Sequence, residues 1–325
     1  MIWKKKGKLL DPTKVQLPNG CKEFAQSPQT LVFEDYVRIY FSTRKRDEKG
    51  EYLSLIAFID MDLDMITILN FSKNEVIKLG ELGTFDEHGI FPINPFKDDN
   101  GNIFAFTCGW NRRKSVPVET SIGSVTSNNQ GETFERIGNG PILSATLNEP
   151  VLVGDAFVQK YDGIYYMWYI FGKKWIPSSE NEPVARVYKI AQATSMDMVN
   201  WKKGEGVQII DDLINENECQ ALPTVIKVKD TYHMYFCFRE ATDFRNNPNR
   251  GYQIGYAFSN DLKKWTRNDF LGGLFKSDEA NDWDNEMQCY PHIFSVKDKV
   301  YLLYNGNEFG KYGFGVAELI SDGNE

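Results

Sequence analysis

An aromatic-rich segment recurs five times along the 325-residue chain at nearly fixed spacing. The copies are 37–41 (VRIYF), 103–107 (IFAFT), 165–169 (YYMWY), 232–236 (YHMYF) and 301–305 (YLLYN), with starts 66, 62, 67 and 69 residues apart. Each follows a turn pair: Glu34-Asp35, Asn100-Gly101, Asp162-Gly163, Lys229-Asp230 or Lys297-Asp298. Such pairs suit the tight turns of short hairpins. No long stretch keeps a 3.6-residue apolar period, so the units are read as strands. A period this long is not explained by a single β-sandwich.

A second signature follows the aromatic segments. Ser195-Met196-Asp197 leading to Trp201 matches Ser259-Asn260-Asp261 leading to Trp265, with a looser copy from Ser127 to Phe134. It resembles the Asp-box of sialidase-like propellers, whose Ser and Asp hold a hairpin turn while the aromatic packs between sheets; the role is structural. Five repeats of four antiparallel strands fill residues 1–325 as one domain. The expected fold is all-β, a five-bladed β-propeller with four-stranded antiparallel blades around a central channel. The last repeat is short after Phe314-Gly315-Val316-Ala317, so an N-terminal strand around Trp3–Leu10 is expected to close the last blade.

The net charge of −8 opposes nucleic acid and anionic membrane surfaces as partners. The run Lys4-Lys5-Lys6-Lys8 reads as a solvated strand end. No apolar stretch is long enough for a membrane helix, and Met1-Ile2-Trp3 leads into lysines without the apolar core of a signal peptide. Cys21, Cys108, Cys219, Cys237 and Cys289 lack a CxxC pair and read as free thiols of a cytoplasmic protein. His88, His233 and His292 have no metal-ligand spacing, and no cofactor or metal is implied.

Counting back from the aromatic segments locates the innermost strands and the acids ahead of them. Four of the five carry one: Asp86-Glu87, Asp155 in GDAF, Glu218 in ECQALP and Glu286 in EMQCYP. Glu87, Glu218 and Glu286 each stand five positions before a proline. Carboxylates gathered at one mouth repel and resist ionisation, a cost that points to function. Glycosidic bond cleavage needs one protonated carboxyl for the leaving oxygen and one ionised carboxylate for water or for direct attack.

These residues resemble the five-bladed propellers of glycoside hydrolase families 32 and 43 and their relatives, over nearly the whole chain. The resemblance implies a glycoside hydrolase in which Asp155 stabilises the transition state or tunes the acid, Glu218 is the general acid, and Asp86 or Glu87 is base or nucleophile. Ser27 stands where the family's first Asp is expected, Ala156 replaces a proline, and Glu218 lies far from its proline. Related five-bladed families imply a glycoside phosphorylase as the alternative, and the missing first Asp leaves a non-catalytic glycan-binding propeller open.

Glu286 is a rival acid, and with Tyr290, Asn305 and Asn307 it forms a C-terminal set suited to sugar hydroxyls. Trp110 is a candidate stacking platform, and Arg112, Arg239 and Arg250 are candidates for an anionic sugar, a sugar phosphate or phosphate itself. The expected partner is an oligosaccharide or other glycan, anionic or phosphorylated.

Overall fold

The computed structural model describes residues 1–179 and 183–322. It is an all-β structure whose chain opens with β1 (Ile2–Leu10) and then lays down groups of antiparallel strands. The first is β2 (Glu23–Val32), β3 (Val37–Arg46), β4 (Tyr52–Met61) and β5 (Ile68–Phe71); the second is β6 (Gly89–Lys97), β7 (Ile103–Arg112), β8 (Val118–Ser127) and β9 (Glu135–Arg136). Next come β10 (Val153–Tyr161), β11 (Ile164–Ile176), β12 (Ala185–Ser195) and β13 (Lys202–Lys203). They are followed by β14 (Cys219–Val228), β15 (Thr231–Arg239), β16 (Gln253–Ser259) and β17 (Thr266–Arg267). The last group is β18 (Cys289–Val296), β19 (Lys299–Asn305) and β20 (Phe314–Ser321), against which β1 pairs antiparallel, as expected for the N-terminal strand. One parallel bridge, Ser54 to Gly89, joins the first two groups into a single hydrogen-bonded sheet.

The five aromatic segments lie on the second strands, β3, β7, β11, β15 and β19. Strands buried on both faces favour β-branched and aromatic side chains, and Tyr40, Phe106, Trp168, Tyr235 and Tyr301 are all fully buried. The serine-aspartate signature forms the expected turns. Ser195 Oγ accepts from the Asp197 and Met198 N–H groups, and Asp197 Oδ1 accepts from Val199 and Asn200. Ser259 and Asp261 repeat this with Asp261, Leu262, Lys263 and Lys264. Trp201 and Trp265 then pack edge-on against Phe106 and Trp168. All five cysteines are buried and unpaired.

Apart from the Ser54–Gly89 bridge that β6 makes with β4, the first strand of each group is an edge, and edge N–H groups need partners. β2 touches β6, β6 touches β10, β10 touches β14, β14 touches β18, and β18 touches β2. Side chains of one first strand take up N–H groups of the next. Val158 N–H donates to Asn94 Oδ1 at 2.9 Å, Ile293 N–H to Thr224 Oγ1 at 3.1 Å, and Thr30 N–H to His292 Nε2 at 3.0 Å. Asn305 Oδ1 accepts from Ser27 N–H at 2.8 Å, tying the last group to the first.

A second device recurs within groups. An acid just ahead of the first strand is buried against a cation of the outermost strand: Asp86 with Arg136, Glu149 with Lys203, Glu218 with Arg267, and Asp284 with Lys5. The incoming loop is thereby fastened across the width of the sheet it is about to begin. Removing one partner leaves a buried charge alone, at a cost of about 3–5 kcal/mol. Arg267→Met is expected to lower unfolding stability by that order at pH 7, read as a shifted urea midpoint. An unchanged midpoint would show the pair to be dispensable.

Candidate functional site

Every first strand breaks register near its start, β2 a further time at Glu23/Gln26. The breaks fall at Gln26/Gln29, Ile90/Ile93, Gly154/Phe157, Ala221/Thr224 and Cys289/His292. The residues at the breaks are Ser27-Pro28, Phe91-Pro92, Asp155-Ala156, Leu222-Pro223 and Tyr290-Pro291. Proline offers no N–H to the ladder and restricts its predecessor, so a bulge forms and re-aims that predecessor. Ser27, Asp155, Leu222 and Tyr290 take left-handed φ values of 54°, 53°, 49° and 56°. Such backbone costs about 1–3 kcal/mol per residue and persists where the surroundings over-determine it, which is often at functional sites.

The re-aimed residues meet. Phe91 and Tyr290 come from groups that are not neighbours, yet their rings lie 5.3 Å apart, edge to face. Tyr252 packs on Tyr290 at 5.6 Å. The Leu222 backbone N–H acts on the Asp155 carboxylate from the adjoining strand. The site is the place where the five first strands converge.

Asp155 is the one acid of this ring. It is 7% exposed and forms no ion pair among the described residues. Burial pushes its pKa up to about 7, against the opposing pull of Arg186 and the Leu222 N–H. Among the described residues no other carboxylate contributes to that shift. The result is a carboxyl balanced between its two protonation states near neutral pH, as general acid–base catalysis requires.

Arginines surround it. Arg186 acts on Asp155 directly and on Arg245, and Arg245 in turn feels Arg239 and Tyr290. Arg44 acts on Tyr290 from the other side. Arg239 is 4% exposed, donates to the Glu240 and Ala241 carbonyls and to Tyr188 Oη, and lies 3.6 Å over the Phe244 ring. Arg44 stacks on Phe24 and Tyr52 at 4.8 and 5.5 Å, and Arg245 on Phe244 at 4.4 Å. Desolvation lowers the pKa of Arg44 and Arg245, with Arg239 and Arg186 adding to the effect on Arg245.

The other residues singled out in the sequence lie elsewhere or are otherwise engaged. Asp86 is 1% exposed and bound through Oδ2 to Arg136 at 2.6 and 2.8 Å. Glu218 is fully buried; its Oε1 accepts from Arg267 at 2.6 Å and Gln220 at 3.0 Å, and its Oε2 from the Leu213 and Ile214 N–H groups. Their distance in sequence from a proline reflects the fastening loop, not the bulge. Glu87 accepts from the Gly83 N–H, and Glu286 is exposed. Asn305 is fully buried in backbone contacts, and Asn307 clips the Glu286 and Met287 N–H groups. Arg112 pairs with Asp47 and Glu51, Arg250 with Glu240, and Trp110 packs on His88. Of the set, Tyr290, Arg239 and Asp155 share the convergence. The sequence count missed Phe91, Leu222 and Arg186; an X-Pro pair in four of the five first strands would have located the first two.

No protein-family profile matches the chain. Two proteins of Mycobacterium tuberculosis, the uncharacterized proteins MT1551 (strain CDC 1551 / Oshkosh) and Rv1502 (strain ATCC 25618 / H37Rv), are each 28% identical over 98% of this chain and 99% of their own length. Among solved structures, BT0996 in its RGII complex superposes with a TM-score of 0.72 at 16% identity, covering 98% of this chain and 93% of that one. A thermostable family-43 glycoside hydrolase gives 0.60 at 14%, covering 93% and 91%. A member of the GH130 family of mannoside phosphorylases, described as containing glycoside hydrolases that target β-1,2 mannosidic linkages, gives 0.65 at 16%, covering 97% and 93%. The fold is that of the glycoside hydrolase-like propellers.

An aspartate that stays protonated up to about pH 7 when folded, but ionises near 4 when unfolded, binds more protons in the native state between those values. Native stability therefore falls as pH rises from about 4 to 7, by an order of 4 kcal/mol at most. Asp155→Asn removes that dependence. Wild type and variant are expected to unfold at similar urea concentrations at pH 4 and to separate at pH 8, with the variant more stable. Parallel curves over this range would refute the burial of an isolated carboxyl.

Proposed function

We propose that the chain is a five-bladed β-propeller enzyme that cleaves a glycosidic bond at the mouth of its axis, with Asp155 donating the proton to the leaving oxygen. The observation that carries the reading is the lone, re-aimed carboxyl of Asp155, held near neutral pKa by burial. The likeness in fold to glycoside hydrolases and mannoside phosphorylases supports the class of reaction. Departure of an alkoxide from an anomeric carbon is the slow event such chemistry must assist, and a neutral carboxylic acid assists it by general acid catalysis. Phe91 and Tyr290 supply flat apolar surface beside it, suited to a pyranose face. The buried free thiols are in keeping with a cytoplasmic setting.

The partner that attacks the anomeric carbon is water in a hydrolase and inorganic phosphate in a phosphorylase. Water needs a base, whereas phosphate arrives already charged. Among the described residues the charges acting on Asp155 include no second carboxylate, which favours phosphate as the second reading. Asp86 and Glu218, fastened to Arg136 and Arg267, serve the scaffold in both.

Asp155→Asn is expected to reduce turnover of a glycoside with a sugar leaving group by roughly 10²–10⁴-fold. The loss should be far smaller for a dinitrophenyl glycoside, whose leaving group needs no proton. Parallel assays with and without phosphate separate hydrolysis from phosphorolysis. Equal losses on both leaving groups would remove Asp155 from the role of proton donor.

A further inference from the structure

The chain carries 45 acidic and 37 basic side chains. Against that excess of carboxylates, four guanidinium groups gather at the convergence of the first strands without an ion pair among the described residues. The arginines that pair with acids among the described residues are Arg38, Arg112, Arg113, Arg136, Arg250 and Arg267; Arg44, Arg186, Arg239 and Arg245 are not among them. They arrive on separate elements: Arg44 on β3, Arg186 on β12, Arg239 on β15, and Arg245 on the β15–β16 loop. Arg239 is a fixed cation: its two terminal nitrogens donate to two carbonyls and a tyrosine, while its buried Nε has no partner among the described residues. Arg239 and Arg245 lie over the same Phe244 ring at 3.6 and 4.4 Å, Arg186 and Arg239 over the same Tyr188 ring at 5.8 and 5.4 Å, and Arg245 is exposed. Arg44 is held on two aromatic faces, and no hydrogen-bond acceptor among the described residues engages its guanidinium.

Like charges held together by a fold, with solvent-facing donors left over, form a receptor for an anion. Arg186 bears on Asp155 itself, so the anion sits beside the bond that Asp155 would protonate. An ionised Asp155 satisfies at most one of the four positive charges.

We propose that the glycan processed at this site is itself anionic, its carboxylate or phosphate seated on Arg44, Arg186 and Arg245. The proposal rests on the glycosidic reading above and names the substrate class for it. Arginine's planar fork fits both oxyanions, so a uronate, a sialate-type acid or a sugar phosphate shares the chemistry that the site recognises.

The test is binding, which does not depend on turnover. Glucuronate, N-acetylneuraminate, glucose 1-phosphate, glucose and inorganic phosphate are titrated separately into the full chain at low salt. At least one anionic sugar is expected to bind roughly tenfold or more tightly than glucose, with affinity falling as salt rises. Arg245→Gln and Arg44→Gln should each lose about that factor while leaving the weak binding of glucose unchanged. Arg245 lies at the rim, so its variant probes the site even if Arg44→Gln fails to fold. Asp155→Asn should retain the preference for the anionic sugar even where it has lost turnover. If no anionic sugar outcompetes glucose, the inference falls, and the same holds if inorganic phosphate alone binds. Anionic-sugar binding without cleavage of any glycoside would instead remove the glycosidic reading and leave the anion site standing.

Discussion

Strands that converge on one point leave their inner edges unpaired, and the rest of this structure follows from how those edges are satisfied. A first strand has a hydrogen-bonded neighbour on one side only, apart from the single Ser54–Gly89 bridge between β4 and β6. Its other N–H groups would be buried without partners, at about 1–3 kcal/mol each. Asn94, Thr224, His292 and Asn305 answer that demand from the adjacent first strand or its group. The convergence is therefore a set of specific polar contacts, and it can hold strained backbone in place immediately above them.

That strain is what makes a site. A regular strand alternates its side chains between two faces, both of which are covered by neighbouring sheets here. Only a bulge can present a side chain to the convergence itself, and each first strand has one at the same level. Ser27, Phe91, Asp155, Leu222 and Tyr290 are thus placed by backbone geometry, whatever their chemistry. Asp155 gains its unusual proton affinity because the place it is forced into is dry and, among the described residues, offers no cation close enough to pair with it. The acids ahead of the strands meet the reverse condition. Asp86 and Glu218 are as buried as Asp155, but each lies against an arginine.

The same contrast explains what was legible in the chain. The repeat, the aromatic second strands, the serine-aspartate turns and the closing N-terminal strand depend on local pattern, and local pattern survives in a single sequence. The role of an acid does not. Glu218 and Arg267 are 49 residues apart, and nothing near Glu218 in the sequence announces its partner. The place of Asp155 at the start of a first strand was legible, its isolation from other acids was not; Arg186 was not legible, because it lies on a third strand whose contribution to the convergence is a matter of three-dimensional approach. Proline was the more reliable marker than charge. It acts on the residue beside it through covalent geometry, whereas a carboxylate acquires its role from whatever the fold brings near.

The arginines bear on the electrostatics of the whole molecule. A net charge of −8 repels an anionic ligand at long range, and ionic strength screens that repulsion beyond about 8–10 Å. Within that distance the local charges decide, and at an effective dielectric near 20 two unit charges 8 Å apart still interact by about 2 kcal/mol. A cluster of four guanidinium groups that pair with no acid among the described residues can therefore reverse the sign of the potential at the convergence while the outer surface stays acidic. The acidic exterior then disfavours polyanions too large to enter, such as nucleic acid, and the basic interior favours a small anion that fits. On the anion-site proposal, size and charge together would set the selectivity.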